Sequence, residues 1–330
     1  MVKISNIELA NPIVCAPMAG VTNYAFRSLL IQYGPGLYFN EMVSDQAINY
    51  RNEKTLKMTE VLEDEHPIAF QLFGHEIESM VKAAIYLDEN THCDIIDINM
   101  GCPVQKVVKQ GAGSALMKDI EHAAEMVYQI SQAVNKPVTV KLRSGWDSES
   151  INAVELSKKL EQAGAQALFV HGRTRAQMYR GEADWNIIRD VKESVTIPVF
   201  GNGDVDSGLR AQQMLDETGC DGVMIGRALM KQPWLIKESL MTLNNKGPFE
   251  ITYEDTLNFT LDHALRLIPL MGESQAIKQM RSHSAWALKG LPHSHALKDK
   301  LHKMNSYDEF VRIIDEYKKE LVNYERINID

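Results

Sequence analysis

The chain has 330 residues, 45% of them hydrophobic and 24% charged, with a formal net charge of −9. That length and mix suit a soluble chain of one large domain plus a smaller one, and the acidic total argues against a protein that coats nucleic acid non-specifically. No apolar run approaches the roughly 20 residues that span a bilayer, and Met1-Val2-Lys3-Ile4 does not begin like a secretion signal, so a cytoplasmic protein with no membrane contact is expected.

In chain order, Ile4–Leu9 reads as a strand or hairpin closing the floor of a larger sheet. Short apolar runs then alternate with amphipathic helical stretches. The first run, Ile13–Ala16, ends in Pro17-Met18-Ala19-Gly20, and Thr22 is placed to cap a helix carrying Phe26, Leu29 and Leu30. Leu37–Phe39 is the second run and ends at Glu41. Ile68–Phe73 is the third. The fourth, Asp94–Pro103, begins as an apolar run and ends in Asn99, Gly101, Cys102 and Pro103, residue types that cannot continue a buried strand. Asp119 caps the next helix, with Met126, Val127 and Ile130 on one face. Val138–Leu142 is the fifth run, followed by Arg143-Ser144-Gly145 and a helix through Leu156 and Leu160. Ala167–His171 is the sixth. A helix near Trp185–Val191 leads to Ile197–Phe200 and Gly201-Asn202-Gly203-Asp204. A helix over about 206–218 leads to Gly222–Ile225 and Gly226-Arg227.

Eight such runs, separated by helices over about 230 residues, are the pattern of a (β/α)8 TIM barrel. A doubly wound open sheet would place its Gly-rich turn after the first strand, whereas here those turns follow the seventh and eighth. Strand signals stop near residue 245, and helices are read around Leu257–Leu267, Ala276–Leu288 and Asp308–Val322. The expected organisation is a barrel over 1–242 and a C-terminal helical domain over 243–330.

The active site of such a barrel lies at the C-terminal ends of its strands. That rule selects Met18, Glu41, Gln71, Asn99, Cys102, Lys141, Arg143, His171, Arg173, Asn202, Gly203, Gly226 and Arg227. Glycines after the last two strands allow backbone amides to approach a phosphate, and Arg227 adds positive charge. Lys141, inside an apolar strand, needs a partner or a shifted pKa. It could form a Schiff base or face a cofactor that becomes anionic. With Gln71 and His171 as hydrogen-bonding groups, a flavin mononucleotide (FMN) fits that set. Among the four cysteines none forms a Cys-x-x-Cys pair, so neither a metal site nor a disulfide framework is expected. Cys102 alone lies in a loop between Gly and Pro, where it is either a buried apolar thiol or a proton donor.

The segments Ala16–Thr22, Gln71–Gly74, Asp97–Pro103, Gly111–Leu116, Lys141–Gly145, His171–Arg175, Asn202–Asp204 and Gly226-Arg227, in this order, resemble the motifs of the tRNA-dihydrouridine synthases of bacterial type. Met280-Arg281-Ser282-His283 with Lys289-Gly290 resembles that family's C-terminal domain, although Ser282 stands where the family often carries a basic residue. The resemblance implies reduction of a specific tRNA uridine to 5,6-dihydrouridine, with tightly bound FMN, NADPH as reductant (NADH not distinguished) and Cys102 protonating C5.

By the same resemblance, Pro17, Met18 and Ala19 line the flavin, and Gln71, Lys141 and His171 bond its ring. Asn202, Gly203, Asp204, Gly226 and Arg227 hold its phosphate end. Asn99, Arg143 and Tyr179 are expected at the target uridine. Arg173, Arg175, Arg281 and His283, with the basic stretch Lys278–Lys303, are expected on the RNA face of a monomer. Two rival readings stand beside this one. One is a small-molecule flavin oxidoreductase of the dihydroorotate dehydrogenase type. The other is a barrel that binds RNA without catalysis.

Overall fold

The structure, a computed structural model, describes residues 2–61, 63–247 and 249–327, with side chains described as far as Leu321. Met1 and residues 328–330, the outer ends of the two expected domains, lie outside the described residues.

Two short antiparallel strands open the chain, β1 (Lys3–Ile4) and β2 (Ile7–Glu8). There follow β3 (Ile13–Cys15), β4 (Tyr38–Phe39), β5 (Val43–Ser44), β6 (Ile68–Phe73), β7 (Ile95–Met100), β8 (Val138–Arg143), β9 (Leu168–His171), β10 (Val199–Asn202) and β11 (Gly222–Ile225). They pair in parallel in the order β3-β11-β10-β9-β8-β7-β6-β4. The parallel bridge Val14–Leu37 and the bond from the Cys15 amide to the Leu37 carbonyl (3.0 Å) close the ring. All eight expected runs are barrel strands.

The ninth strand, β5, is the second half of the strand begun by β4. Both lie on β6, β4 at Ile68–Ala69 and β5 at Leu72–Phe73. In the gap between them the Asn40 side chain accepts the Gln71 amide at 2.9 Å, standing in for a backbone partner.

Strand residues alternate between the outer helices and the barrel interior. Phe70, Leu72, Ile96, Ile98, Val140 and Leu142 join the outer core with the helices. Ala69, Ile95, Phe169, Phe200 and Met224 fill the lower interior, beneath which Ile4 and Leu9 of the β1–β2 segment close the floor. Phe169 stacks on Phe200 (4.8 Å) and meets Phe39 edge-on (5.0 Å). The same inward register carries polar residues nearer the strand ends: Gln71, Asp97, Asn99, Thr139, Lys141 and Asn202 are linked there by hydrogen bonds among themselves.

The helices follow the expected periodicity. Ile77–Asn90 buries Met80, Ala83, Ala84 and Leu87, and Asp119 caps Ile120–Ala133 through the His122 amide. Thr22 is not a helix cap: Asn23 accepts the Phe26 amide instead, while the Thr22 hydroxyl accepts the Met18 amide (2.9 Å) and donates to the Met18 carbonyl (3.2 Å). That pair of bonds shapes the turn after β3.

Beyond the barrel come helices at Tyr253–Met271, Glu273–Ala287, Ser294–Lys303 and Tyr307–Ile327. The third was not expected. Its apolar side is little more than Leu297 and Leu301, in a stretch dominated by lysine and histidine. These helices enclose an apolar cluster of their own that includes Leu257, Leu267, Ile277, Met280, Leu301, Phe310 and Ile314. Ala25 of the barrel packs into this cluster, and Phe259 packs into the barrel's cluster. Among the described residues, no helix is long and apolar enough to cross a membrane.

Candidate active site

A cleft of about 980 Å³ opens at the C-terminal ends of the barrel strands, within the usual range for a small-molecule or cofactor site. Pro17, Met18 and Ala19 after β3, Gln71 of β6, Asn99 and Cys102 at the end of β7, Lys141 and Arg143 of β8 and His171 of β9 all line it. So do Arg173, Tyr179, Asn202, Gly203, Asp204, Gly226 and Arg227. All the expected strand-end residues except Glu41 therefore converge on one cavity, whereas the Glu41 carboxylate accepts the Gly20 amide in the turn after β3.

Its floor is a continuous hydrogen-bonded chain. The Thr139 hydroxyl donates to one oxygen of Asp97 (2.7 Å), and the Gln71 amide nitrogen donates to the other (2.7 Å). The Asn99 side-chain nitrogen donates to the Gln71 oxygen (2.6 Å). The Asn99 oxygen accepts the Gly101 and Cys102 backbone amides at 3.1 and 2.8 Å. Asp97 is fully buried, and burial pushes its carboxyl up to about 7, against the opposing pull of Gln71, Thr139 and the Lys141 charge. It was not among the expected site residues. Its signal was a carboxylate two places before Asn99, on the same side of an otherwise apolar strand.

Cys102 is half-buried. Burial raises its thiol, against a bond from the Val104 amide and the charges of Arg143 and Lys141. A raised thiol holds its proton at neutral pH, as a proton donor must. The Cys102 carbonyl accepts the Ser114 amide (3.1 Å) and hydroxyl (2.9 Å). Lys141 is brought down to about 8, first by burial and then by the Arg143 charge. Its ammonium donates to the Asn202 oxygen (3.1 Å), and the Asn202 nitrogen donates to the Met224 carbonyl (2.8 Å). Burial, with the charges of Lys141, Arg143, Arg173 and Arg227, holds His171 well below its ordinary value, so its ring is neutral. Gly203 has φ +125°, and a Cβ there would stand 2.6 Å from the Ala183 Cβ and 3.1 Å from the His171 ring.

Several arginines are committed to architecture. Arg143 donates to the carbonyls of Gly101 (2.8 Å), Thr174 (2.8 Å) and Met178 (2.9 Å), tying the loops after β7 and β9 together. Buried Arg173 donates to the Gly181 carbonyl (2.5 Å) and pairs with Asp204 at 2.8 Å. Arg227 lies 3.9 Å from Asp204 and over the Tyr179 ring at 4.4 Å.

Three residues expected on the RNA face are not at the cleft. Arg175 lies over Trp146 (4.4 Å). Arg281 donates to the Met304 carbonyl and the Asn305 side chain within the helical region. His283 is buried, stacked between His263 (5.2 Å) and Trp286 (5.1 Å). The position of Arg281 and His283 in a basic stretch suggested solvent-facing charge. Their side chains instead hold helices together. Conversely, Met42, Arg210, Lys231, Gln232 and Trp286 line the cleft without having been singled out. They come from segments with no local motif. Among the described residues, no cluster of three or more His, Cys, Asp or Glu could hold a metal.

The family model described as dihydrouridine synthase matches residues 14–323. A probable tRNA-dihydrouridine synthase of Rickettsia conorii is 41% identical over 92% of both chains. The tRNA-dihydrouridine synthase B of Vibrio vulnificus is 41% identical over 87% of this chain and 89% of its own. The crystal structure of TcOYE with pHBA superimposes with a TM-score of 0.54 at 14% identity, covering 77% of this chain and 94% of that one, a likeness of fold alone. The family-model match over residues 14–323, with relatives about 40% identical along most of the chain, makes this protein a member of the dihydrouridine synthase family.

Proposed function

We propose that this protein is a flavin-dependent oxidoreductase that reduces a uridine of tRNA to 5,6-dihydrouridine, using FMN and NADPH, as a cytoplasmic monomer. The observation that carries the reading is a single cleft that joins the protonated Cys102 thiol to cationic Lys141 and to an amide-lined floor.

The donor set fits a flavin. Lys141 offers an ammonium beside neutral His171, and the Gln71 amide, anchored at both ends, has a second N–H and a second lone pair for a ring edge. Gly203, with no room for a side chain against His171, brings bare backbone to the cavity. In this reading Pro17, Met18 and Ala19 lie along the ring, and Gln71, Lys141 and His171 bond it. Asn202, Gly203, Asp204, Gly226 and Arg227 hold the ribityl phosphate end, with the Asp204 carboxylate kept off the phosphate by its pairing to Arg173. When bound, the flavin supplies the reducing electrons that NADPH replenishes.

The chain's own residues do the rest. Cys102 passes its thiol proton to C5 of the uracil ring, forming a C–H bond and leaving a thiolate that solvent reprotonates. Lys141 and Arg143 favour that thiolate while it lasts. Asn99 fixes the Cys102 backbone, and with Arg143 and Tyr179 it bounds the space left for the base. A base reaches this depth only when turned out of the RNA fold. Residues 1–242 then form the catalytic barrel and 243–330 the RNA-binding helical domain, a division supported by the helices having an apolar cluster largely their own.

The test is nucleoside mass spectrometry of unmodified tRNA incubated with the protein and NADPH. Uridine should gain about two mass units, one hydrogen from each transfer. If flavin-loaded protein leaves unmodified tRNA pools unchanged, the reading fails in favour of a small-molecule reductase.

A further inference from the structure

The rim of the cleft carries an aromatic surface that the chemistry above does not use. Trp286, on the Glu273–Ala287 helix, leaves 42% of its surface exposed and lines the same cleft as Cys102 and Lys141. Its ring lies at 26° on the buried His283, which lies at 28° on the buried His263. His283 is bonded to the Gly20 carbonyl, as is the Gln279 side chain (2.7 Å). The indole is thus the outer leaf of a three-ring stack fastened to the turn after β3. Burial holds His263 and His283 below their ordinary values, so both supporting rings are uncharged and a large flat face is presented on a rigid base.

We propose that the indole of Trp286 is a stacking platform for an unpaired base of the tRNA that neighbours the reacting uridine. This inference rests on the function proposed above. Turning the uridine out of its stack leaves adjacent bases without a partner. A neighbouring base is tethered to the uridine by one phosphate, so it arrives at the cleft edge whenever the uridine enters. Stacking on an aromatic face needs no particular base, since every base has one. Lys231, exposed on the barrel side of the same cleft, supplies positive charge for the connecting phosphate.

The test uses full-length, flavin-loaded protein and an unmodified tRNA transcript, with Trp286→Phe, Trp286→Leu and Trp286→Ala. Kd for tRNA and the KM–kcat split are measured, together with the rate at which NADPH alone bleaches the flavin. Leucine keeps bulk and apolarity but has no ring, whereas phenylalanine keeps the ring. The expected result is a rise of roughly tenfold in Kd and KM for Leu and Ala, a near wild-type Phe variant, and unchanged bleaching in all three. A Leu variant that binds tRNA like wild type overturns the proposal, as does slowed bleaching with tRNA affinity unchanged, which would give the platform to the nicotinamide nucleotide. If Ala misfolds, the Phe and Leu pair decides. Wild-type protein that neither binds nor modifies tRNA would defeat the underlying function reading and this inference together.

Discussion

A carboxylate sealed inside a barrel costs stability when charged, and for Asp97 that cost sets in between about pH 4 and 7 and persists above. Folding raises its pKa from the ordinary 3.8 to about 7. Between those values the folded chain binds more protons than the unfolded chain, so stability falls as pH rises. Asp97's contribution is therefore full below about 4 and lost through about 7. Asp97→Asn should flatten this part of the profile, seen as urea midpoints at pH 4–8 compared with wild type. A profile parallel to wild type would show that Asp97 is not the group responsible. The same substitution should lower uridine reduction about tenfold or more, because the chain Asp97–Gln71–Asn99 positions the Cys102 backbone. Cys102→Ala belongs beside it. Losing a general acid should reduce turnover by roughly 10²–10⁴-fold while flavin content and tRNA affinity persist. Full turnover in that variant would remove the acid role.

What could be read from single residues had a physical limit. The placement of Cys102, Lys141 and Arg227 at the cleft was legible because a barrel strand end dictates where a side chain goes. Arg281 and His283 were not, since whether a donor meets solvent or a carbonyl depends on a neighbour such as Met304, distant in sequence.

The segment after β7 shows how an element holds a reactive group. Gly113 has φ +62°, and a Cβ there would stand 2.8 Å from the Cys102 carbonyl oxygen, the atom that also accepts Ser114. Gly219 has nearly the same φ, +65°, with nothing within 4 Å. Both alanine variants carry the left-handed strain of about 1 kcal/mol, but only Gly113→Ala must also move the Cys102 backbone. Equal losses of stability would be consistent with strain alone. A reduction rate that falls only for Gly113→Ala would tie the loop's shape to the proton donor. Strands buried on both faces write continuous apolar runs, which is why all eight barrel strands were legible. The break between β4 and β5 was not, because it depends on Asn40 replacing a backbone acceptor across the ladder. Ser294–Lys303 was hidden for a different reason: two leucines suffice to bury a helix whose remaining residues read as surface.

The barrel and the helical region exchange side chains at their junction, with Phe26 edge-on to Phe259 (6.4 Å) and Arg266 donating to Ser28 (3.2 Å). A protein of net charge −9 that binds a polyanion must therefore confine its attraction to one face of this joined body. Arg210, Arg227 and Lys231 line the cleft, while Lys82, paired with Glu78 at 2.7 Å, lies on the outer helix Ile77–Asn90. Contacts to phosphate release counterions, so log Kd for tRNA should rise linearly with log salt concentration, each contact contributing about 0.7–0.9 to the slope. Lys231→Glu should reduce that slope by about one such unit and weaken binding at low salt. Lys82→Glu makes the same change of net charge away from the cleft, where at physiological salt screening beyond about 8 Å leaves little effect. Filter binding from 50 to 300 mM salt separates the two cases. If both variants shift the slope alike, total charge rather than the cleft rim governs association, and the RNA path across Lys231 is wrong.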